Sequence, residues 1–324
     1  MRVAVGISGG VDSAVTAMLL KERGHEVVGV TMALGRDGEE ASIADAKSVA
    51  DWLGIEFKVF DLAVAWKREV LEYIRGTYLA GRTPNPCVRC NEMVKFGMLP
   101  YAAFEQLGCD RFATGHYARI EPRDASREIS PKNVMLLRGT DRTKDQSYFL
   151  YRVRPEVLAK TLFPLGAMSK TEVREIARSI GFKVAEKGDS QDFCGGDPMG
   201  IVGAADREGD IVTVEGKVLG KHRGYWNYTI GKRKGLGIGG GIPYYVIGLD
   251  AENNRVIVGY KDASVRYDLE LTDEVGTIDK SLPVKVRSAG EPRLLSDGIS
   301  GIAPGQSAVF FRGEEVVGGG IIKG

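Results

Sequence analysis

The stretch GISGGVDSAV, residues 6–15, decides how the N-terminal part of the chain folds. It closes a β-rich run, RVAVGI (2–7), and opens a helical one, SAVTAMLLKERG (13–24). Two glycines between a strand and a helix let the backbone approach an anion closely. The helix start adds unpaired N–H groups and the positive end of a dipole. Ser8 and Ser13 contribute hydroxyls. A bare pair of glycines would read as an ordinary turn, but the full S-G-G-x-D-S string reads as a phosphate site. It is not a Walker loop: G-x-x-x-x-G-K-[ST] is absent, and the sequence puts no lysine where β- and γ-phosphates would lie. It also lacks the G-x-G-x-x-G of a dinucleotide fold.

Working outward, strand and helix signals alternate as far as about residue 120. EVVGVTM (26–32), EFKVFDL (56–62) and RFATGHY (111–117) read as strands. The segment 41–55 puts Ile43, Ala46, Ala50 and Leu53 on one helical face, and 64–81 reads as a long helix. Such alternation predicts a parallel, doubly wound α/β sheet. The polar segment 121–135 reads as a loop, followed by a mainly helical segment. There Ser169 and Glu172 fit a capping box, Val173, Ile176, Ala177 and Ile180 form the apolar stripe, and Gly181 stops the helix. Beyond about 205 the texture becomes β-hairpins, one turning near Glu215-Gly216 and one around Asn253-Asn254, which predicts one or two small β-barrels. The expected domains are 1–205, with a helical part at about 140–200, then a β-rich 206–262 and a C-terminal β-barrel at 263–324.

The composition excludes some functions. The chain has 324 residues, is 43% hydrophobic and carries a net charge of +1, so any nucleic-acid contact must come from local patches. No apolar run has the length of a membrane span, and the N-terminus enters a strand without a leader. The four cysteines, Cys87, Cys90, Cys109 and Cys194, are too few and scattered for a secreted disulfide framework. The expectation is a soluble cytoplasmic protein in a reducing compartment, without a membrane partner. There the close pair in TPNPCVRCN (83–91) suits metal binding or catalysis. Cys194, in DSQDFCGGD, sits in a second loop, and Cys109 reads as a buried small hydrophobe. Two basic clusters, Lys221-His222-Arg223 and Lys232-Arg233-Lys234, flank Tyr225, Trp226 and Tyr228. They suit phosphate contact and base stacking, or equally a solvated face over packed rings.

The turn itself resembles that of the PP-loop ATP pyrophosphatases. Seven longer strings follow in order: GISGGVDSAV, GRTPNPCVRCN with KFG, ATGHYARI, LLRGTDRTKDQSYFLYRV, LFPLG with SKTEVREIA, YTIGKRKGLGI and IAPGQSAVFF. Together, over nearly the whole chain, they resemble the bacterial tRNA-specific 2-thiouridylase family. The resemblance implies an ATP-dependent sulfurtransferase that adenylates the C2 oxygen of a wobble uridine, U34, and replaces it with sulfur. Gly6, Ile7, Ser8, Gly9, Gly10, Val11, Asp12 and Ser13 would then hold ATP, with Asp12 near Mg²⁺-pyrophosphate. Met32 and Gly115 would complete that site. The implied catalytic residues are Asp12, Cys90 and Cys194, the last carrying a persulfide and able to end disulfide-linked to Cys90. Because some relatives have aspartate at position 87, Cys87, Cys90 and Cys194 also fit a [4Fe–4S] cluster that binds sulfide, and both schemes stay open. The implied tRNA contacts are Asn85-Pro86-Cys87, His116, Lys144-Asp145-Gln146, Arg287-Ser288 and Gln306, and a sulfur donor, protein or sulfide, is the second partner. An AMP-forming PP-loop enzyme acting on a small molecule is the alternative. The chain departs from the family pattern at REGD (207–210), at DFCGGD (192–197) and at Lys232.

Overall fold

The computed structural model describes residues 1–179, 181, 198–239 and 242–324. These residues form two compact units. One comprises Met1–Glu69, Cys87–Phe193 and Gly313–Val316; the other comprises Val70–Pro86, Cys194–Arg312 and Val317–Gly324.

In the first unit β1 (Arg2–Gly6), α1 (Val11–Glu22), β2 (Glu26–Ala33), α2 (Glu39–Leu53) and β3 (Glu56–Asp61) follow the alternation read from the sequence. α3 (Ala63–Trp66) runs through a π-helical turn into α4 (Glu72–Leu79), which belongs to the second unit. The first unit resumes with α5 (Pro86–Cys90), α6 (Leu99–Leu107), β4 (Arg111–Ala113), β5 (Ala118–Pro122), β6 (Val134–Arg138), α7 (Pro155–Leu158), β7 (Thr161–Leu162) and α8 (Lys170–Ser179). The sheet order is β3-β2-β1-β4-β7, and every pair in it is parallel. Its middle strand is an unbroken apolar run because both faces are covered: Val3, Ala4 and Val5 have no solvent contact. The strand order reverses between β1 and β4, so the serine–glycine turn after β1 lies where open α/β sheets bind ligands.

Two expectations change here. Residues 121–135 are not simply a loop: β5 and β6 pair in antiparallel register from Ala118↔Arg138 to Pro122↔Val134, and only the polar stretch between them is a loop. The regular structure of the segment after it is mostly helix, but β7 is an addition to the expectation: it joins the parallel sheet as its edge strand. A two-residue strand has too little periodicity to be read locally.

α8 is capped as predicted. The Ser169 N–H donates to Glu172 Oε2 at 2.7 Å, and the Glu172 N–H donates to Ser169 Oγ at 3.2 Å. Val173 and Ala177 of its stripe are buried against Val11 and Val15 of α1, whereas Ile180 lies outside the described residues. Ser169→Ala is expected to cost about 1 kcal/mol of stability; an unchanged melting temperature would contradict the cap.

The second unit contains α9 (Pro198–Val202), β8 (Gly209–Thr213), β9 (Val218–His222), β10 (Tyr245–Asp250) and β11 (Arg255–Gly259), in the sheet order β10-β11-β8-β9. Both expected hairpins are present. Tyr225, Trp226 and Tyr228 are buried in this unit's core with Ile211, Val246 and Val256. The base-stacking reading of these three rings is therefore corrected: they are packed inside. The rest of the unit is β12 (Val265–Arg266), β13 (Leu271–Gly276), β14 (Val284–Lys285), β15 (Ile299–Ser300), β16 (Ser307–Arg312) and β17 (Glu315–Ile322), and in it β12 pairs β15, β14 pairs β16 and β13 pairs β17.

Candidate active site

An open cavity of about 560 Å³ lies in the first unit, where the chain leaves β1, β2 and β4. Gly6, Ile7, Ser8, Gly10, Val11, Asp12 and Ser13 of the turn line it, as do Met32 and Gly115. Gly9 does not line the cavity. It holds a φ of +76° against α2, and a Cβ there would lie 2.5 Å from that of Asp45. Gly115 touches the start of α1 so closely that a Cβ would lie 2.8 Å from the Asp12 carbonyl carbon. No side chain caps α1 at Gly10, which leaves its first N–H groups to the cavity side. Ser13 Oγ accepts the Ser8 N–H at 3.2 Å and donates to Gly10 O at 3.0 Å, bracing the turn. Met32 also packs against the hydrophobic core beneath the cavity.

The charge arrangement differs from the sequence expectation. Lys170 Nζ lies 2.7 and 2.8 Å from the two Asp12 oxygens, and the Tyr117 hydroxyl donates to Asp12 Oδ1 at 2.9 Å. The fold thus supplies a lysine that the turn lacks, from the first residue of α8. The Lys170 N–H is held in turn by Asp141 Oδ2 at 3.0 Å. That bond leads the causes that hold the Asp141 carboxyl below the usual carboxylate range. Neither Lys170 nor Tyr117 is among the expected site residues. The strings SKTEVREIA and ATGHYARI contain both, but only their meeting at Asp12 identifies them.

Lys144 and Gln146 line the cavity. Asp145 points inward: its side chain is fully buried, Oδ2 accepts Arg138 Nε at 3.0 Å, and Oδ1 accepts the Gly139 and Ser147 N–H groups. Burial works against its charge, but the bonds from Ser147, Arg138 and Gly139 prevail and hold its carboxyl low.

Cys87 and Cys90 line the same cavity, three residues apart on α5. Cys90 is 2% exposed. Burial pushes its thiol up to about 11, opposed by the charges of Lys95 and Arg36 and by the Lys95 backbone N–H. An acid whose folded-state pKa is raised stays protonated through neutral pH. At pH 8 about one Cys90 thiol in a thousand is ionised, against roughly a quarter of ordinary cysteines. Iodoacetamide labelling of Cys90, followed by mass spectrometry, is expected to rise about tenfold per pH unit from 7 to 10; a plateau near pH 8.5 would contradict the burial. Cys109 is buried in the core, as expected. Cys194 lies outside the described residues. Among the described residues no group of three or more His, Cys, Asp or Glu is placed to hold a metal.

His116 lines the cavity, shares a 2.7 Å hydrogen bond through Nδ1 with Thr114 Oγ1, and packs between Phe96 and Phe163. Burial, with Lys95 nearby, drives its pKa well below the usual histidine value, so the imidazole is neutral.

The other expected tRNA residues fall in the second unit, apart from Cys87. Asn85 is buried, with its N–H donated to Tyr73 Oη at 3.1 Å. Pro86 opens α5. Gln306 Nε2 donates to Pro84 O at 2.5 Å, so this side chain braces the loop before α5. Arg287 donates to Gly301 O and Ile230 O, while Ser288 is exposed. Of the basic clusters, Lys221 is paired with Asp210 at 2.9 Å and His222 is buried, whereas Arg233 and Lys234 are exposed.

Three family models match the chain: a tRNA methyl transferase HUP domain over residues 1–195, a tRNA methyl transferase PRC-barrel domain over 202–260, and an aminomethyltransferase beta-barrel domain over 294–322. The curated tRNA-specific 2-thiouridylase MnmA of Trichormus variabilis is 42% identical, over 99% of this chain and 98% of that one. The chain belongs to the tRNA-specific 2-thiouridylase family. Further 2-thiouridylases, from Nostoc punctiforme and Geobacter metallireducens, are each 41% identical over 99% of this chain and 99% and 96% of theirs. Among solved structures, a 4-thiouridine synthetase–RNA complex with bound ATP is similar at 17% identity and a TM-score of 0.40, over 58% of this chain and 43% of that one. That likeness is too slight to bear on fold or function. The HUP-domain match precedes the two barrel matches, which agrees with the fold class read from the sequence.

Proposed function

We infer that this protein is an ATP-dependent tRNA 2-thiouridylase, a sulfurtransferase that acts on the wobble uridine. The observation that carries the reading is the cavity that brings the S-G-G-x-D-S turn, Lys170 and the Cys87/Cys90 pair to one place. The family models' descriptions name a methyl transferase, but a turn built for a polyphosphate and two thiols beside it suit sulfur transfer after activation.

In this reading the uridine C2 oxygen attacks the α-phosphorus of ATP and pyrophosphate leaves. A sulfur nucleophile then attacks C2, and AMP leaves with the oxygen. The α1 N–H groups and Lys170 hold the departing phosphates, and Asp12 and Tyr117 hold Lys170 in place. Mg²⁺ needs few protein ligands and keeps water and phosphate oxygens, so Asp12 alone would serve it. In the persulfide scheme the outer sulfur on Cys194 attacks C2, and the Cys90 thiolate then attacks the Cys194 sulfur, breaks the S–S bond and releases 2-thiouridine, leaving a Cys90–Cys194 disulfide that an external thiol reduces. Neutral His116, Asn85-Pro86-Cys87, Lys144-Asp145-Gln146, Arg287-Ser288 and Gln306 are read as the tRNA side, with domains at 1–205, 206–262 and 263–324. A wobble base must leave its stack to enter such a cavity, which suits a loop substrate. The setting is cytoplasmic, with a sulfide or persulfide donor; no helix among the described residues is long and apolar enough to cross a membrane.

A second reading is favoured by Cys87 lining the cavity beside Cys90. Cys87, Cys90 and Cys194 would hold a [4Fe–4S] cluster, whose open iron would supply bound sulfide. Iron and acid-labile sulfide measured after anaerobic purification decide between the two: an iron-free protein that still thiolates tRNA defeats the cluster.

The function is tested with an unmodified tRNA bearing a wobble uridine, ATP-Mg²⁺, a thiol reductant and, in parallel, sulfide or a persulfide donor. Nucleoside mass spectrometry is expected to find 2-thiouridine, with pyrophosphate release that depends on tRNA. Release that ignores tRNA would contradict the reading.

A further inference from the structure

We propose that Gln146 is a positioning residue of the phosphate site, acting through Tyr117 on Asp12. This deepens the reading above and rests on it for the identity of the ligand. Gln146 Oε1 accepts the Tyr117 N–H at 3.0 Å, and the Gln146 N–H donates to Tyr117 O at 2.9 Å. Both main-chain groups of Tyr117 are thus held by one residue. The far end of Tyr117 donates to Asp12 Oδ1, the oxygen that Lys170 Nζ also reaches at 2.7 Å.

The rest of the TDRTKDQ segment serves the same end. Asp141 fixes the Lys170 N–H, so both groups on Asp12 are anchored to one stretch of seven residues. Asp145 locks that stretch from below, through Arg138 and the Gly139 and Ser147 N–H groups. Gly139 packs against the Tyr117 carbonyl so tightly that a Cβ would lie 2.6 Å from its oxygen. Of the three side chains read as the anticodon contact, Asp145 therefore points into the protein and Gln146, on the cavity wall, holds Tyr117. A lysine aimed at phosphate gains most when its carboxylate partner is already oriented, since no reorganisation is then left for the binding step.

Gln146→Leu removes the side-chain amide that accepts the Tyr117 N–H and keeps the side-chain volume about the same. It is expected to weaken binding of α,β-methylene-ATP to the tRNA-free protein by roughly three- to tenfold. Tyr117→Phe is expected to weaken it by a similar factor. Because Gln146 acts through that hydroxyl, the double variant loses no more than the larger single loss. Additive losses, or a loss of tRNA affinity with nucleotide affinity intact, overturn the proposal. One measurement needs no variant: the Tyr117 amide of the wild-type protein is expected to exchange slowly with deuterium, and exchange at an open-chain rate overturns it too. A wild-type protein that fails to bind the analogue refutes the ATP reading itself; binding unaffected by Gln146→Leu refutes only the role of Gln146.

Discussion

Replacing Lys170 by methionine is expected to lower tRNA-dependent pyrophosphate release by about a thousandfold or more, on the scale of losing a charge-stabilising group in a preorganised site. Lys170 Nζ sits between both Asp12 oxygens, and its side chain is only 12% exposed. Without the ammonium, the Asp12 carboxylate faces the cavity with the Tyr117 hydroxyl on Oδ1, and it repels the incoming polyphosphate. Two effects add: attraction for the leaving group is lost and a like charge is exposed. Asp12→Ala also stops adenylation while tRNA binding persists. Pyrophosphate release that survives Lys170→Met would mean that the phosphates lie elsewhere. Because α8 also packs on α1 through Val173 and Ala177, melting temperatures of the variants separate a lost charge from a loosened helix.

Replacing Cys90 by alanine is expected to abolish 2-thiouridine formation, a loss of at least about 10⁴-fold, in line with removal of a covalent nucleophile. The turn, Lys170 and Asp12 are untouched, so tRNA-dependent pyrophosphate release continues and the two half-reactions come apart. If Cys90→Ala halted pyrophosphate release equally, the thiol would belong to the nucleotide step. The thiol also titrates high, near 11, and Lys95 and Arg36 are the cations that oppose the rise. A sulfur step through this thiolate is therefore expected to accelerate with pH across 7–10. The companion variant, Cys87→Ala, divides the two sulfur schemes: with a persulfide relay thiolation continues, and with a cluster it stops along with iron binding.

Much of this site is readable along the chain. The turn at 6–15 declares itself because glycine placement, serine hydroxyls and a following helix are all local properties, and the fold keeps them local. Ser169 and Glu172 declare a helix start for the same reason, three residues apart. The cysteine pair is equally plain, and it lines the cavity with the turn. By contrast, Tyr225, Trp226 and Tyr228 between lysines look the same in sequence whether the rings stack on RNA or pack on Val246 and Val256, and here they pack. The segment TDRTKDQ looks like an exposed polar loop, yet Asp145 is buried because Arg138 and the Gly139 and Ser147 N–H groups wait for it inside.

The sequence by itself determined the parallel sheet, the position of the phosphate turn in it, the hairpin-rich second part and the family, since each is written in short periodicities or contiguous strings. Tertiary structure alone decided which cation meets Asp12. Lys170 lies 158 residues from it, and that pairing depends on α8 packing against α1 and on Asp141 fixing its first turn. Backbone geometry is set by neighbours in the chain, whereas the partner of a buried charge is set by how distant segments fold together.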